Sequence, residues 1–310
     1  MTLRAHFYTL VGVILLVVFH YITTVTLPNA HHYDGMHTAI IQGIAESPYR
    51  YRILIPMLLA SAPPPMALWY GLVEALGIAV LLVSLRRFLR RFFNDDHVTI
   101  AVLIAALSFI IASRDHWVQS WTWVEGAMMV LAFTQAFRIY ETRATVIDRI
   151  TYALLVVLAC LNRETGLFIA LLFVVLAIGY RRKHEVLWGC FYLALFAVIF
   201  LGLRLMLGNV DLQYSPALLL RHNLDRSAYS AASLFLLLGV WWWFSLVGYR
   251  RAPRFFRYAT WIIPPYIVLW FLFAVWYETR LMVPLYPLLL PLALYGTLSP
   301  EHIHTGQTQH

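Results

Sequence analysis

Residues 162–183 read NRETGLFIALLFVVLAIGYRRK. A polar turn opens the stretch, an apolar run from Gly166 to Tyr180 follows, and basic residues close it. The run carries no charge and does not alternate polar with apolar positions, so it does not read as a barrel strand. It reads as a membrane helix whose basic end is an anchor.

Outward from this stretch the same grammar repeats. The 310 residues are 61% hydrophobic and 12% charged, whereas about a quarter of residues are charged in soluble domains. Apolar runs separated by short polar breaks place spans at 7–27, 66–86, 97–113, 124–138, 149–161, 166–180, 186–206, 231–248, 258–276 and 281–297. The expected fold is an all-α polytopic membrane protein of about ten transmembrane helices. It forms one membrane domain over 1–297, with an outer-face loop segment at 28–65 and a tail over 298–310. The first run is too long for a signal-peptide core and reads as an uncleaved span. Cys160 and Cys190 fall near opposite faces, so no disulfide is expected.

Charge sets the orientation. Arg4, the run Arg86 to Arg91, Arg138, Arg143, Arg149, Arg181 to Lys183 and the run Arg250 to Arg257 fall on one side and hold most of the 23 basic residues. That side is expected to be cytoplasmic, together with both termini and the tail. Asp34, Glu46, Asp115, Glu125, Glu164, Asp211, Asp225 and Glu278 fall on the other side, which is nearly neutral. The net charge of +8 therefore belongs to the lipid-facing cytoplasmic surface and does not point to nucleic acid.

Two outer segments do not fit as spans. YRILIPMLLASAPPP (51–65) is short and proline-broken, and is expected to be re-entrant or to lie on the surface. MHTAIIQGIAE (36–46) aligns Met36, Ala39, Ile40, Gly43 and Ile44 as one stripe, the pattern of a short interfacial helix. The paired short spans around NRET point to a thin or recessed place on the outer face.

Polar groups concentrate at outer breaks beyond what connectors need: HHYDGMH (31–37), PYRYR (48–52), SRDHWVQSWTWVEG (113–126), NRETG (162–166) and DLQYSP (211–216) with RHNLDR (221–226); WYETR (276–280) is a further outer break without that excess. Charges near hydrocarbon usually face a cavity, so a shared outer site is expected. Asp34 can deprotonate an acceptor hydroxyl, although Asp-Gly before a helix is also an ordinary N-cap. Arg50, Arg52 and Arg280 can bind phosphate bidentately, although the alternate Tyr49 and Tyr51 fit an interfacial belt equally well and Arg280 can simply snorkel. Glu164, Arg163, Glu125 and Glu278 are candidates for sugar or acceptor contacts, as are Asp115 and His37. Trp117, Trp121 and Trp123 read more readily as interfacial aromatics than as a sugar platform. His31, His32 and His37 lack metal-ligand spacing. Glu74, at mid-depth in its span, reads as a hydrogen-bonded structural carboxyl.

HHYDG, PYRYRILIP, the helix pair around NRETG and YETRLMVPLYPLLLP together resemble the GT-C superfamily of membrane glycosyltransferases. The resemblance implies a polyprenyl-phosphate-sugar donor and Asp34 as base. It implies Arg52, Arg280 or Arg50 on the donor phosphate, and Glu164, Glu125 or Asp115 on sugar or acceptor. It allows a divalent cation between Asp34 and Asp115, and implies an inner-membrane enzyme with its active face extracytoplasmic. The first loop lacks an adjacent Asp-Glu or Asp-X-Asp pair, and no soluble domain follows the last span. A transporter or flippase would need mid-depth charges and a repeat. A structural or assembly subunit would need no site.

Overall fold

The computed structural model describes residues 30–46, 49–63, 65–113, 120–142, 144–208, 216–225, 228, 240–274, 279–299 and 303. Every regular element among them is helical, apart from one isolated antiparallel bridge between Phe93 and Ile303. The expected span at 7–27 lies outside the described residues.

The helices are α1 (Ala30–Ile41), α2 (Leu54–Leu58), α3 (Met66–Leu89), α4 (Asp95–Ser113), α5 (Ser120–Glu141), α6 (Val146–Asn162), α7 (Leu167–Gly179), α8 (Lys183–Leu207), α9 (Pro216–Asp225), α10 (Val240–Tyr249), α11 (Arg254–Ala259), α12 (Ile263–Phe273) and α13 (Tyr286–Thr297). Short 3-10 turns at Tyr49–Tyr51, Glu164–Gly166, Thr260–Ile262 and Thr279–Leu285 join or extend them. Among the described residues three helices are long and apolar enough to cross a membrane: α3, α8 and the continuous Arg254–Phe273 unit made of α11, its 3-10 turn and α12. Leu187, Val198, Leu201, Leu205 and Met206 of α8 are exposed, as expected of a helix that meets lipid.

α5 is the hub. From Trp121 to Tyr140 nearly every side chain is buried. It packs along α3 and α6 and against the Thr279–Leu285 turn. Because protein rather than lipid surrounds it, α5 can carry Thr122, Glu125 and Gln135 at buried positions. α10 lies along α13 through two glycines. A Cβ on Gly248 would sit 1.8 Å from the Leu292 carbonyl oxygen, and one on Gly296 would sit 2.3 Å from that of Phe244. Backbones this close need small residues, as at GxxxG-type crossings. The α6–α7 hairpin is as tight, since a Cβ on Gly166 would meet the Ala159 carbonyl carbon at 2.6 Å.

The α7–α8 turn closes with a Schellman motif. The Arg182 amide donates to the Ala177 carbonyl and the Arg181 amide to that of Ile178. Arg181 takes the left-handed conformation, φ +54°, that glycine usually fills.

Residues 51–65 do not cross the bundle. Tyr51, Ile55, Pro56 and Leu59 are buried under the end of the bundle. Pro56 sits in the first turn of α2, where its missing N–H leaves no gap. The stripe expected at 36–46 forms only in part. α1 begins earlier and ends at Ile41, Gly43 turns the chain at φ +66°, and Ile44 is exposed.

Charged side chains gather at two ends. At one end Arg86 and Arg90 meet Asp95, Arg138 meets Asp148, Arg149 meets Glu185, and Arg254 meets Glu141. Arg182 donates to the Ile139 and Tyr140 carbonyls at the C-terminus of α5. Some of the basic residues at this end are thus paired with acids and carbonyls within the protein. The other end carries the second cluster.

Candidate functional site

The second cluster forms where three segments meet: the Tyr49–Arg52 turn, the first turns of α5, and the tip of the α6–α7 hairpin. Arg52 donates from Nη2 to Glu164 Oε1 at 2.7 Å and from Nε to Oε2 at 3.4 Å, a two-point grip. Arg163 approaches the same Oε1 at 3.9 Å. Arg163 Nη1 also lies 3.4 Å from Glu125 Oε2 and 3.1 Å from the Thr122 hydroxyl. The sequence 162–166 is polar because it holds this network; a bare turn would need less.

Burial differs sharply across the cluster. Arg52 and Arg163 are 4% and 5% exposed, and Glu125 is 1% exposed. The Glu164 side chain is 35% exposed. The two guanidinium groups therefore sit behind a carboxylate that reaches solvent. Burial pushes the Glu164 carboxyl up, but Arg52 and Arg163 beside it outweigh that and hold it below its usual range. It is ionised at neutral pH. Glu125 Oε1 and Asn162 Oδ1 are buried with no hydrogen-bond partner among the described residues. Asn162 Nδ2 donates to the Trp121 carbonyl at 2.9 Å, which ties the hairpin tip to α5.

Aromatic contacts carry the site to α1. Arg52 lies over the Tyr49 ring at 4.9 Å, Tyr49 packs on Trp121, and Trp121 on Tyr70. Tyr70 Oη is 3.2 Å from His37 Nδ1. On the opposite flank the Tyr51 hydroxyl donates to the Gly208 carbonyl at 3.0 Å, and Arg204 lies over its ring at 4.5 Å. Asn223 of α9 donates to the Phe271 and Ala274 carbonyls and so closes the C-terminus of α12.

The structure thus brings together Arg52, Arg163, Glu164 and Glu125 of the expected set. His37 is buried against Tyr70, one aromatic chain away. Arg50 keeps its Nε buried with no hydrogen-bond partner among the described residues. Asp34 lies past the first turn of α1, which corrects its reading as an N-cap; its side chain lies outside the described residues. Arg280 belongs to the Thr279–Leu285 turn that packs on α5 beside Gly126, and its side chain too lies outside them. Asp115, Glu278, Asp211, His31 and His32 give no described side chain. Trp121 and Trp123 are buried in the core, which corrects their reading as interfacial or sugar-facing rings. Trp123 hydrogen-bonds the buried Glu74. Thr122 and Arg204 were not singled out by the sequence; the polar Thr122 close to the expected Glu125 was the available signal.

No group of His, Cys, Asp and Glu fit to hold a metal occurs among the described residues. No family model, curated protein or solved structure matches the chain.

Proposed function

We propose that the chain is an integral membrane glycosyltransferase of GT-C type. It moves a sugar from a polyprenyl-phosphate donor to an acceptor at the extracytoplasmic face of a bacterial inner membrane, through about ten spans with both termini cytoplasmic. The observation that carries this reading is the Arg52–Glu164–Arg163–Glu125 cluster at one end of an apolar bundle. Lipid-linked transfer brings its leaving group, a phosphate, to the membrane boundary. Buried guanidinium groups there can stabilise the charge that develops on it. Asp34 acts as the base, Arg52 with Arg50 and Arg280 serves the phosphate, and Glu125, Glu164, Arg163, His37, Asp115 and Glu278 serve sugar and acceptor. A divalent cation, if used, would fall to Asp34 and Asp115.

One observation favours a second reading. Arg52 and Arg163 already have carboxylate partners within the cluster, as a purely structural lock would require. The chain would then be a structural or assembly subunit.

The test is transfer from a panel of radiolabelled polyprenyl-phosphate sugars by the purified protein in liposomes. Asp34→Asn should cut the rate by about 100-fold or more while the thermal midpoint is unchanged. Full function of Asp34→Asn in cells, with no transfer by the wild type from any donor, would leave the structural reading.

A further inference from the structure

Glu164 occupies the centre of the cluster's positive charge. Two buried guanidinium groups, from segments over a hundred residues apart in sequence, converge on its Oε1 at 2.7 and 3.9 Å. Arg52 grips the carboxylate by two nitrogens, the geometry guanidinium offers equally to a phosphate. Glu164 is also the most exposed member of the cluster, so its carboxylate can turn into water at a small hydration cost, whereas the arginines cannot. Counting charges, Arg52 and Arg163 balance Glu125 and Glu164. Removing Glu164 leaves two guanidinium groups facing one carboxyl, Glu125.

We propose that Glu164 is a built-in occupant of an anion site formed by Arg52 and Arg163, and that a phosphate ester displaces it on binding. The inference rests on the lipid-linked-donor reading for the source of that phosphate. The carboxylate keeps the buried cations paired while the site awaits substrate, and it sets a threshold that a weak or singly contacting anion does not pass. Glu164 is then a specificity-determining residue that leaves the phosphate position on binding and is freed to meet the sugar or acceptor beside it.

The test uses the full-length protein in neutral detergent, with farnesyl phosphate and inorganic phosphate as probes and the ligand-induced shift of the unfolding midpoint as readout. Wild type should bind farnesyl phosphate weakly. Glu164→Gln should bind it about tenfold or more tightly, roughly 1.4 kcal/mol, and Arg52→Gln should give no saturable shift. A preference for farnesyl phosphate assigns the site to a lipid-linked ligand; equal binding of inorganic phosphate assigns it to free phosphate. A folded Glu164→Gln that binds no tighter than wild type overturns the proposal. If that variant does not fold, a density map of wild type with farnesyl phosphate decides. Phosphate between Arg52 and Arg163 with Glu164 turned outward supports the displacement, and Glu164 still on Arg52 overturns it. Tighter binding by Glu164→Gln with no sugar transfer by wild type would sink the transferase reading and keep the anion site. Transfer by wild type with no gain in Glu164→Gln would do the reverse.

Discussion

Arg163 holds two carboxylates and a hydroxyl from a position almost closed to water. Truncating one member of such a group strands the others, so Arg163→Ala should lower stability by about 3–5 kcal/mol. Chemical denaturation in detergent would read the loss; a change under 1 kcal/mol would mean that water already reaches the cluster. At the opposite end Asp148 is held below the usual carboxylate range, first by the Thr145 hydroxyl against the opposing effect of burial, then by the Thr145 amide, Gln135 and Arg138. A depressed carboxyl stabilises above its unfolded value, about 3.9, and the gain is lost as pH falls through the folded value. The thermal midpoint should therefore drop on acidification below about pH 4, and Asp148→Asn should start lower and show a shallower acid limb. Both residues were legible only in outline. NRET announced its excess polarity, but nothing in the string told which charge would meet Arg52. Thr145-Val-Ile-Asp148 is a sequence-level capping box whose signal was available and outweighed by the apolar run after it.

At the scale of elements, the apolar runs predicted most helices closely: the spans expected at 66–86, 166–180 and 186–206 correspond to α3, α7 and α8. Run length and helix length agree because one continuous face must leave water. The misses have local causes. The last span begins as a 3-10 turn because Pro284 and Pro287 withhold amides at successive turns. α1 was expected to start near Met36 because HHYDG looks like a loop, yet the helix begins at Ala30. The α10–α13 crossing offers the sharpest element-scale test. Gly248→Val has no room for its first carbon, so it should destabilise by about 1–3 kcal/mol, whereas Gly71→Ala, with nothing within 4 Å of the added Cβ, should leave the midpoint nearly unchanged. Comparable midpoints for the two variants would show that the helices can part without loss.

The whole molecule sorts its charges to two ends, and the contacts that do so join segments far apart in sequence. The α3–α4 turn, the α7–α8 turn and the start of α11 share one end. The α6–α7 tip, Tyr51 and Gly208 share the other. Periodicity and the basic bias anticipated this polarity, because each hairpin must return its polar turn to water. They did not anticipate that a central helix would be polar within, since burial by protein and burial by lipid leave the same apolar signature. Under the proposed orientation, cysteines placed singly at 181 and at 225 should be labelled by a membrane-impermeant maleimide from opposite sides, 225 from outside intact cells. Labelling of both from one side would overturn the topology.

The buried α5 has a consequence for biogenesis. While the chain is being made, α5 leaves the ribosome before Asp148, Arg163 and the Thr279–Leu285 turn exist to answer Gln135 and Glu125. A lone helix with a carboxyl and an amide partitions poorly from the translocon into lipid. α5 must therefore linger at the insertion channel until the α6–α7 hairpin arrives, and enter the bilayer as part of a three-helix unit. A photocrosslinker placed in α5 should crosslink to the insertion channel in ribosome-stalled intermediates in which α5 has emerged and the α6–α7 hairpin has not, and to lipid once the hairpin has emerged.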